Sequence, residues 1–162
     1  MTAPPRPVME VALTVNGRPH VLSIEPCALL IDTLRDQLGL TGTKRSCDVQ
    51  VCGACTVLVN GVPVSACTYL TYEARGKAVL TIEGLARGDA VHPVQQAFID
   101  HAAFQCGFCT PGMILAAAAL LREIPHPSVE AIAHYMRGNL CRCTGYTKIL
   151  EAIQAASGAI AR

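Results

Sequence analysis

The sequence predicts an α+β protein, in which a small mixed first half is followed by an all-helical second half. Two observations support this fold class. Apolar residues alternate with a period of two in the first half and recur at helical spacing after Gly84. Two Asn-Gly pairs, Asn16-Gly17 and Asn60-Gly61, each lie between runs that favour strands and predict tight hairpins. We therefore expect two domains, at residues 8–83 and 84–162.

The elements of the first half follow from these local patterns. Residues 1–7 are rich in proline and are expected to be loosely attached. The predicted elements are then strands at residues 11–15 and 20–24, a helix at 30–38 that ends at Gly39, strands at 56–59 and 62–65, and a strand at 79–82. Two hairpins with a helix packed across them form a small α+β domain.

The sequence of the second half predicts four helices joined by short connections. They are expected at residues 94–101, 110–122, 128–138 and 146–153. Thr110 and Pro111 suit the N-cap and first position of the second helix, and Ser128 suits the N-cap of the third. The second helix is apolar on all faces, which predicts burial. Four helices with short connections favour a bundle.

Composition narrows the class of function. The net charge is +1 and the sequence pI is about 7.6, so the chain lacks the strongly basic character typical of nucleic-acid binding. Hydrophobic residues make up 51% of the chain, which predicts a large interior or an apolar surface that meets a partner. The longest apolar run, at residues 113–121, is too short to span a bilayer. Because no secretory signal is recognisable, a cytoplasmic protein is expected.

The first half contains a set of four cysteines with a characteristic spacing. The spacing is C-x4-C-x2-C, with a fourth cysteine after eleven more residues, at Cys47, Cys52, Cys55 and Cys67. This is the spacing of the ligands of plant-type [2Fe–2S] clusters. Gly53 and Ala54 lie between two of these cysteines, where a large side chain would obstruct the approach of backbone amides to sulfur. Iron–sulfur ligation is therefore the predicted role.

The helical half contains a second set of four cysteines, Cys106, Cys109, Cys141 and Cys143. The first pair precedes a helix N-terminus, where free amides favour thiolates, and the second pair lies between the third and fourth helices. An antiparallel bundle places alternate loops at the same end, so the two pairs can meet. A second metal cluster is predicted, and a structural zinc site remains the alternative because C-x2-C with a distant pair is common for zinc.

Other candidate residues receive simpler interpretations. Cys27 matches neither set and is expected to be a small buried apolar residue. The five histidines are interpreted as surface or packing residues. Lys44 and Arg45 precede the first cysteine loop, where they are either solvated or balance the charge of the loop.

Both cysteine sets, in this order, resemble those of the small iron–sulfur subunit of the molybdenum hydroxylases, the family of xanthine dehydrogenase and aldehyde oxidase. The matching stretches are residues 53–57, 81–84, 105–112 and 138–146, and the resemblance covers about residues 8–153. Two positions depart from the commonest family form. Gln50 stands where many members have glycine, and Ser46 where glycine often precedes the first ligand. These departures concern loop conformation and reduction potential rather than ligation.

The resemblance implies a plant-ferredoxin-like β-grasp domain followed by a four-helix bundle, each with one [2Fe–2S] cluster. It implies an electron-transfer subunit without catalytic residues, associated with a large subunit that carries molybdopterin cytosine dinucleotide. A medium FAD subunit and a dimer of heterotrimers are also implied. Electrons would pass from molybdenum through the helical-domain cluster and the plant-type cluster to FAD. Gln105 and Cys143 are implied to approach the pterin.

A free-standing two-cluster ferredoxin-type carrier is the alternative function. The plant-type loop alone would permit it. The second cysteine set, the apolar composition and the absence of strong net acidity favour a subunit of a larger assembly.

Overall fold

A five-stranded mixed sheet forms the first half of the protein in the computed structural model, which describes residues 7–86, 88 and 90–160. The strands are β1 (Met9–Val15), β2 (Arg18–Ile24), β3 (Thr56–Val59), β4 (Val62–Ser65) and β5 (Ala78–Leu80). Their order in the sheet is β2-β1-β5-β3-β4, with β1 parallel to β5 and the other neighbours antiparallel. Except for Pro7, the predicted N-terminal extension lies outside the described residues.

Both predicted hairpins are confirmed. Asn16 and Gly17 have φ of 50° and 79°, and Asn60 and Gly61 have φ of 48° and 80°. Positive φ at both central residues is the requirement of the two-residue turn that matches strand twist. These turns fix the registers of β1 with β2 and of β3 with β4.

The helix predicted over residues 30–38 is only partly correct. A single α-helical turn, α1 (Leu30–Asp32), continues as a π-helix over Thr33–Gln37. The amide of Leu38 donates to the carbonyl of Thr33 at 3.1 Å, which is the wider i→i+5 bond. Apolar spacing over so few residues does not distinguish this turn from an α-helix.

Four helices occupy the second half, α2 (Pro93–Asp100), α3 (Thr110–Glu123), α4 (Val129–Tyr135) and α5 (Thr147–Ile160). A 3₁₀ turn over Met136–Gly138 follows α4. Ser128 caps α4 as predicted, since its hydroxyl oxygen accepts from the amide of Ala131 at 3.2 Å. His92 also has a structural role, because its Nδ1 accepts from the amide of Val94 and caps α2.

The predicted N-cap of α3 is wrong by one residue. Cys109 is the N-cap, and Thr110 is the first residue of the helix. The carbonyl of Cys109 already accepts from the amide of Met113 at 3.0 Å, so the helical hydrogen bonds begin one residue earlier than predicted. This shift places a cysteine of the second set directly at a helix N-terminus.

The two halves pack against each other through β3. Val57 and Val59 point into the core of the first half, whereas Leu58 belongs to the core formed by the helices. Helix α3 covers this face of the sheet and is largely buried, as its uniformly apolar sequence predicts. The α+β class is thus confirmed. Among the described helices, none has the length and apolar character needed to cross a membrane.

Candidate metal centres

The first cysteine loop, residues 47–55, folds so that backbone amides converge on sulfur. Sγ of Cys47 accepts from the amides of Val51 and Cys52, each at 3.4 Å. Asp48 and Gln50 have positive φ, of 56° and 58°, and this local winding turns successive amides inward. Hydrogen bonds from the amides of Val49, Cys52 and Val51 lower the pKa of Cys47 to about 6. The loop therefore favours the thiolate form of Cys47.

The other two cysteines of the first set are buried. Cys55 and Cys67 are 2% and 3% exposed, and their side chains contact each other. Burial, with smaller effects from Cys67, raises the pKa of the Cys55 thiol to about 12. The first set therefore consists of a partly exposed pair, Cys47 with Cys52, and a buried pair, Cys55 with Cys67.

The second set brings together cysteines from two separate loops. Sγ of Cys143 lies 3.5 Å from Sγ of Cys106, and both residues are exposed. Cys109 and Cys141 form the other pair and are partly buried. The two loops predicted to share one end of the helical half do so.

Ionisation differs between the members of the second set. Burial, reinforced by Cys141, raises the pKa of Cys109 to about 12. Burial also opposes ionisation of Cys141, but hydrogen bonds from Thr144 and from the amide of Cys143 outweigh it and lower the pKa of Cys141 to about 7. The amide of Phe108, followed by the thiol of Cys143, lowers the pKa of Cys106. Each pair of the second set thus includes one thiol that ionises more readily than an ordinary cysteine.

The arrangement of the sulfurs fits a two-iron cluster in each half. A [2Fe–2S] cluster is held by four thiolates, two on each iron, and each set presents four cysteines as two pairs. Soft thiolate donors are the ligands that iron–sulfur clusters take.

The two cysteine sites are joined by Asn139. This residue is 6% exposed, and its Nδ2 donates to the carbonyl of Gly53 at 3.1 Å and to Oγ1 of Thr56 at 3.2 Å. The next amide, of Leu140, donates to the carbonyl of Cys52 at 2.8 Å. The segment that leads into Cys141 is therefore hydrogen-bonded to the first cysteine loop.

Two glycines permit this close approach. A Cβ on Gly53, where φ is 68°, would lie 2.3 Å from the carbonyl oxygen of Gly138. A Cβ on Gly112 would lie 2.3 Å from the carbonyl oxygen of Gly53. From the sequence, Gly53 is expected to let backbone amides approach sulfur. The structure shows that it also permits the contact between the two halves.

No local sequence pattern indicates the role of Asn139, although residues 138–146 form one of the stretches that resemble the family. The only sequence signal was the position of Asn139 two residues before Cys141, because its partners lie more than eighty residues away in the chain.

Three other candidate residues, Gln105, Cys27 and Arg45, lie on the surface or in exposed turns. Gln105 is exposed next to Cys106. The expectation that Cys27 is buried is wrong, because the residue is exposed and its Sγ lies 3.9 Å from a carboxylate oxygen of Glu25. Cys27 occupies the turn between β2 and α1, outside both cores. Arg45 forms ion pairs with two carboxylates, of Asp32 and, at 2.9 Å, of Asp48, so its charge is balanced locally.

An α+β chain with two all-cysteine sites of this form defines an iron–sulfur electron-transfer protein. A family model described as "2Fe-2S iron-sulfur cluster binding domain" matches residues 30–104, and one described as "[2Fe-2S] binding domain" matches residues 81–154. The chain belongs to the family of small iron–sulfur subunits of the molybdenum hydroxylases.

Curated relatives cover nearly the whole chain. The aldehyde oxidoreductase iron-sulfur-binding subunit PaoA of Escherichia coli K12 is 44% identical, over 98% of this chain and 76% of the relative. The nicotinate dehydrogenase small FeS subunit of Eubacterium barkeri is 46% identical, over 90% of this chain and 93% of the relative.

Solved structures share the fold. A chain of quinoline 2-oxidoreductase from Pseudomonas putida 86 has a TM-score of 0.92 and 44% identity, covering 96% of this chain and 97% of that chain. The aldehyde oxidoreductase from Desulfovibrio desulfuricans ATCC 27774 has a TM-score of 0.90 and 42% identity, covering 94% of this chain but 17% of that chain. The same fold therefore also occurs as a small part of a longer polypeptide.

Proposed function

We propose that each half of the chain holds one [2Fe–2S] cluster and that the protein transfers electrons within a multi-subunit molybdenum hydroxylase. The pairing of all eight cysteines outside Cys27 into two sets is the observation that supports this function best. Cys47 and Cys52 would hold one iron of the first cluster, with Cys55 and Cys67 on the other. In the second cluster the corresponding pairs are Cys106 with Cys143 and Cys109 with Cys141. Each cluster supplies reversible one-electron oxidation and reduction.

Residues of the chain favour the thiolate form of the ligands and exclude water from these sites. The lowered pKa of Cys47, about 6, favours the thiolate form that a metal ligand needs. The inward amides of the first loop stabilise negative charge on sulfur. Burial of Cys55 and Cys67 excludes water from one side of the first site, which lowers the local polarity.

The surface around the second set suits a docking partner. Cys106 and Cys143 are exposed, and the side chains of Phe104, Phe108 and Leu140 nearby are 42%, 45% and 46% exposed. Exposed apolar side chains beside exposed thiols favour contact with another protein that excludes water. We assign this surface to the large subunit, with Gln105 and Cys143 facing its molybdopterin cytosine dinucleotide. The longer aldehyde oxidoreductase chain, of which this fold is 17%, supports such an association.

The first cysteine loop would face a second partner, the medium FAD subunit. Val49 and Val51 are 65% and 58% exposed on this loop. We assign them to the contact with a medium FAD subunit, and electrons then pass from the second set to the first and on to FAD. The hydrogen bond from the amide of Leu140 to the carbonyl of Cys52 gives a short connection between the two sites. No catalytic residue is assigned to this chain.

The finer architecture is part of this proposal. We assign residues 8–83 to a plant-ferredoxin-like β-grasp domain and residues 84–162 to a four-helix bundle domain. The separate cores of the two halves support this division, although Leu58 of β3 packs into the helical core. We further propose a cytoplasmic dimer of heterotrimers.

Purification of the intact assembly through a tag on this chain tests the function. Larger chains should co-elute with it, together with iron, acid-labile sulfide, molybdenum, pterin and FAD. A chain that retains both clusters but elutes alone at every salt concentration would favour a free-standing electron carrier instead.

Replacement of Gln105 by alanine is expected to weaken docking to the large subunit about tenfold, which corresponds to about 1.4 kcal/mol. The amide of Gln105 is exposed beside Cys106, so it can contact a partner without supporting the fold. Subunit affinity, iron content and turnover of the assembled enzyme should be measured together. Gln154→Ala, at an exposed position of α5, is the matched control. Unchanged affinity and turnover in Gln105→Ala would contradict the assigned contact.

A further inference from the structure

The turn that follows the last cysteine aims a hydroxyl group at a sulfur atom of the second set. Oγ1 of Thr144 lies 3.2 Å from Sγ of Cys141, and the amide of Thr144 donates to the same sulfur at 3.4 Å. The amide of Tyr146 donates to Oγ1 of Thr144 at 3.2 Å. The hydroxyl therefore donates its proton to the sulfur of Cys141 while its oxygen accepts from the amide of Tyr146, which is within the capacity of a hydroxyl group.

The same turn is held in one conformation by Tyr146. This residue has φ of 71°, which is unusual for an aromatic side chain and is maintained only where surrounding contacts enforce it. The phenol oxygen of Tyr146 accepts from the amide of Cys141 at 2.9 Å. Tyr146 therefore forms hydrogen bonds with both Cys141 and Thr144, the two residues that the hydroxyl–sulfur contact joins.

A hydroxyl donor distinguishes Cys141 from Cys47. Among the described residues, Cys47 accepts from backbone amides and contacts the thiol of Cys52, whereas Cys141 accepts from both an amide and a hydroxyl. A hydroxyl can be removed by substitution while the backbone stays in place. Thr144 is thus a position at which the polarity around the second set can be changed without altering a ligand.

We propose that Thr144 raises the reduction potential of the second site through its hydrogen bond to Cys141. This inference rests on the proposed function, in which that site holds a [2Fe–2S] cluster. Reduction adds one electron and no proton, so the negative charge shared by the thiolates increases. A donor directed at sulfur stabilises the reduced form more than the oxidised form, and hydrogen bonds to sulfur are among the properties that set cluster potentials. Thr144 thereby makes the second site a better acceptor for an electron arriving from the partner subunit.

Thr144→Val in the intact assembly tests this role, with the potential of each site followed by EPR during titration with dithionite and a mild oxidant. The reduction equilibrium of the second site should shift about tenfold towards the oxidised form, or about 59 mV for one electron. Thr144→Ser retains the hydroxyl and should stay close to wild type. Thr147→Val is the control. It changes an exposed threonine three positions after Thr144 and should leave both potentials unchanged.

The outcomes separate this inference from the proposed function. Two cluster signals with an unchanged potential in Thr144→Val would overturn the role of Thr144 and leave the function intact. An equal shift in the signal of the first site would also overturn it, because the effect would then be general. If Thr144→Val loses iron, the potential of the second site is measured in Thr144→Ala instead. Loss of iron in Thr144→Ala as well would overturn the proposal and assign Thr144 to cluster assembly. Absence of both signals in wild-type protein would instead refute the proposed function.

Discussion

Gly53→Ala is expected to destabilise the protein by about 2–5 kcal/mol and to abolish the first cluster. A left-handed backbone costs a residue with a Cβ about 1–2 kcal/mol, and overpacking at a close contact adds about 1–3 kcal/mol. The new Cβ would lie 2.3 Å from the carbonyl oxygen of Gly138, which belongs to backbone and cannot rotate away. The segment 138–140 must then withdraw from the first cysteine loop and break the hydrogen bonds of Asn139.

Gly76→Ala is the matched control for this experiment. Gly76 has φ of 72°, close to that of Gly53, but a Cβ there would have no neighbour within 4 Å. Only the backbone cost of about 1–2 kcal/mol should appear, and both clusters should remain. Denaturant unfolding and iron content measure the two effects. Equal destabilisation in the two variants, with full iron content, would contradict the close contact between the halves.

Cys47→Ser is expected to remove the first cluster and to leave the second largely intact. A serine hydroxyl remains protonated at neutral pH, whereas the loop amides lower the pKa of Cys47 to about 6 and favour its thiolate. Cys47 also lies at the opposite end of the loop from Gly53, so its loss should not disturb the contact with Asn139. EPR of the reduced variant should show one of two distinct signals, with iron content falling by about half.

Cys27, which belongs to neither cysteine set, supplies the control for that substitution. Cys27→Ser changes an exposed thiol outside both sets and should retain both signals. Loss of both signals in folded Cys47→Ser protein would contradict independent ligation by the two halves.

Local chemistry explains how much of the fold could be predicted from the sequence. An Asn-Gly pair is favoured where two successive residues need positive φ, so both hairpins follow from four residues. The uniformly apolar sequence of α3 required a buried helix, which the structure confirms. The spacing of the cysteines predicted that members of each set would meet, and Cys106 with Cys143 and Cys55 with Cys67 do so.

Contacts between distant parts of the chain explain what could not be predicted. Apolar spacing indicates neither the i→i+5 bond of Thr33 nor the exposure of Cys27. Asn139 connects to Gly53 across more than eighty residues, and no local pattern encodes such a partner. The orientation of the Thr144 hydroxyl likewise depends on the positive φ of Tyr146, which sequence periodicity does not indicate.

We propose that four thiolates in each half hold an iron pair that carries single electrons. Iron and acid-labile sulfide analysis of the purified assembly, combined with EPR of the reduced protein, is the decisive measurement. Two irons and two sulfides are expected for each cysteine set, with two distinguishable [2Fe–2S] signals. Folded, colourless protein that contains zinc without iron or sulfide would rule out this ligation.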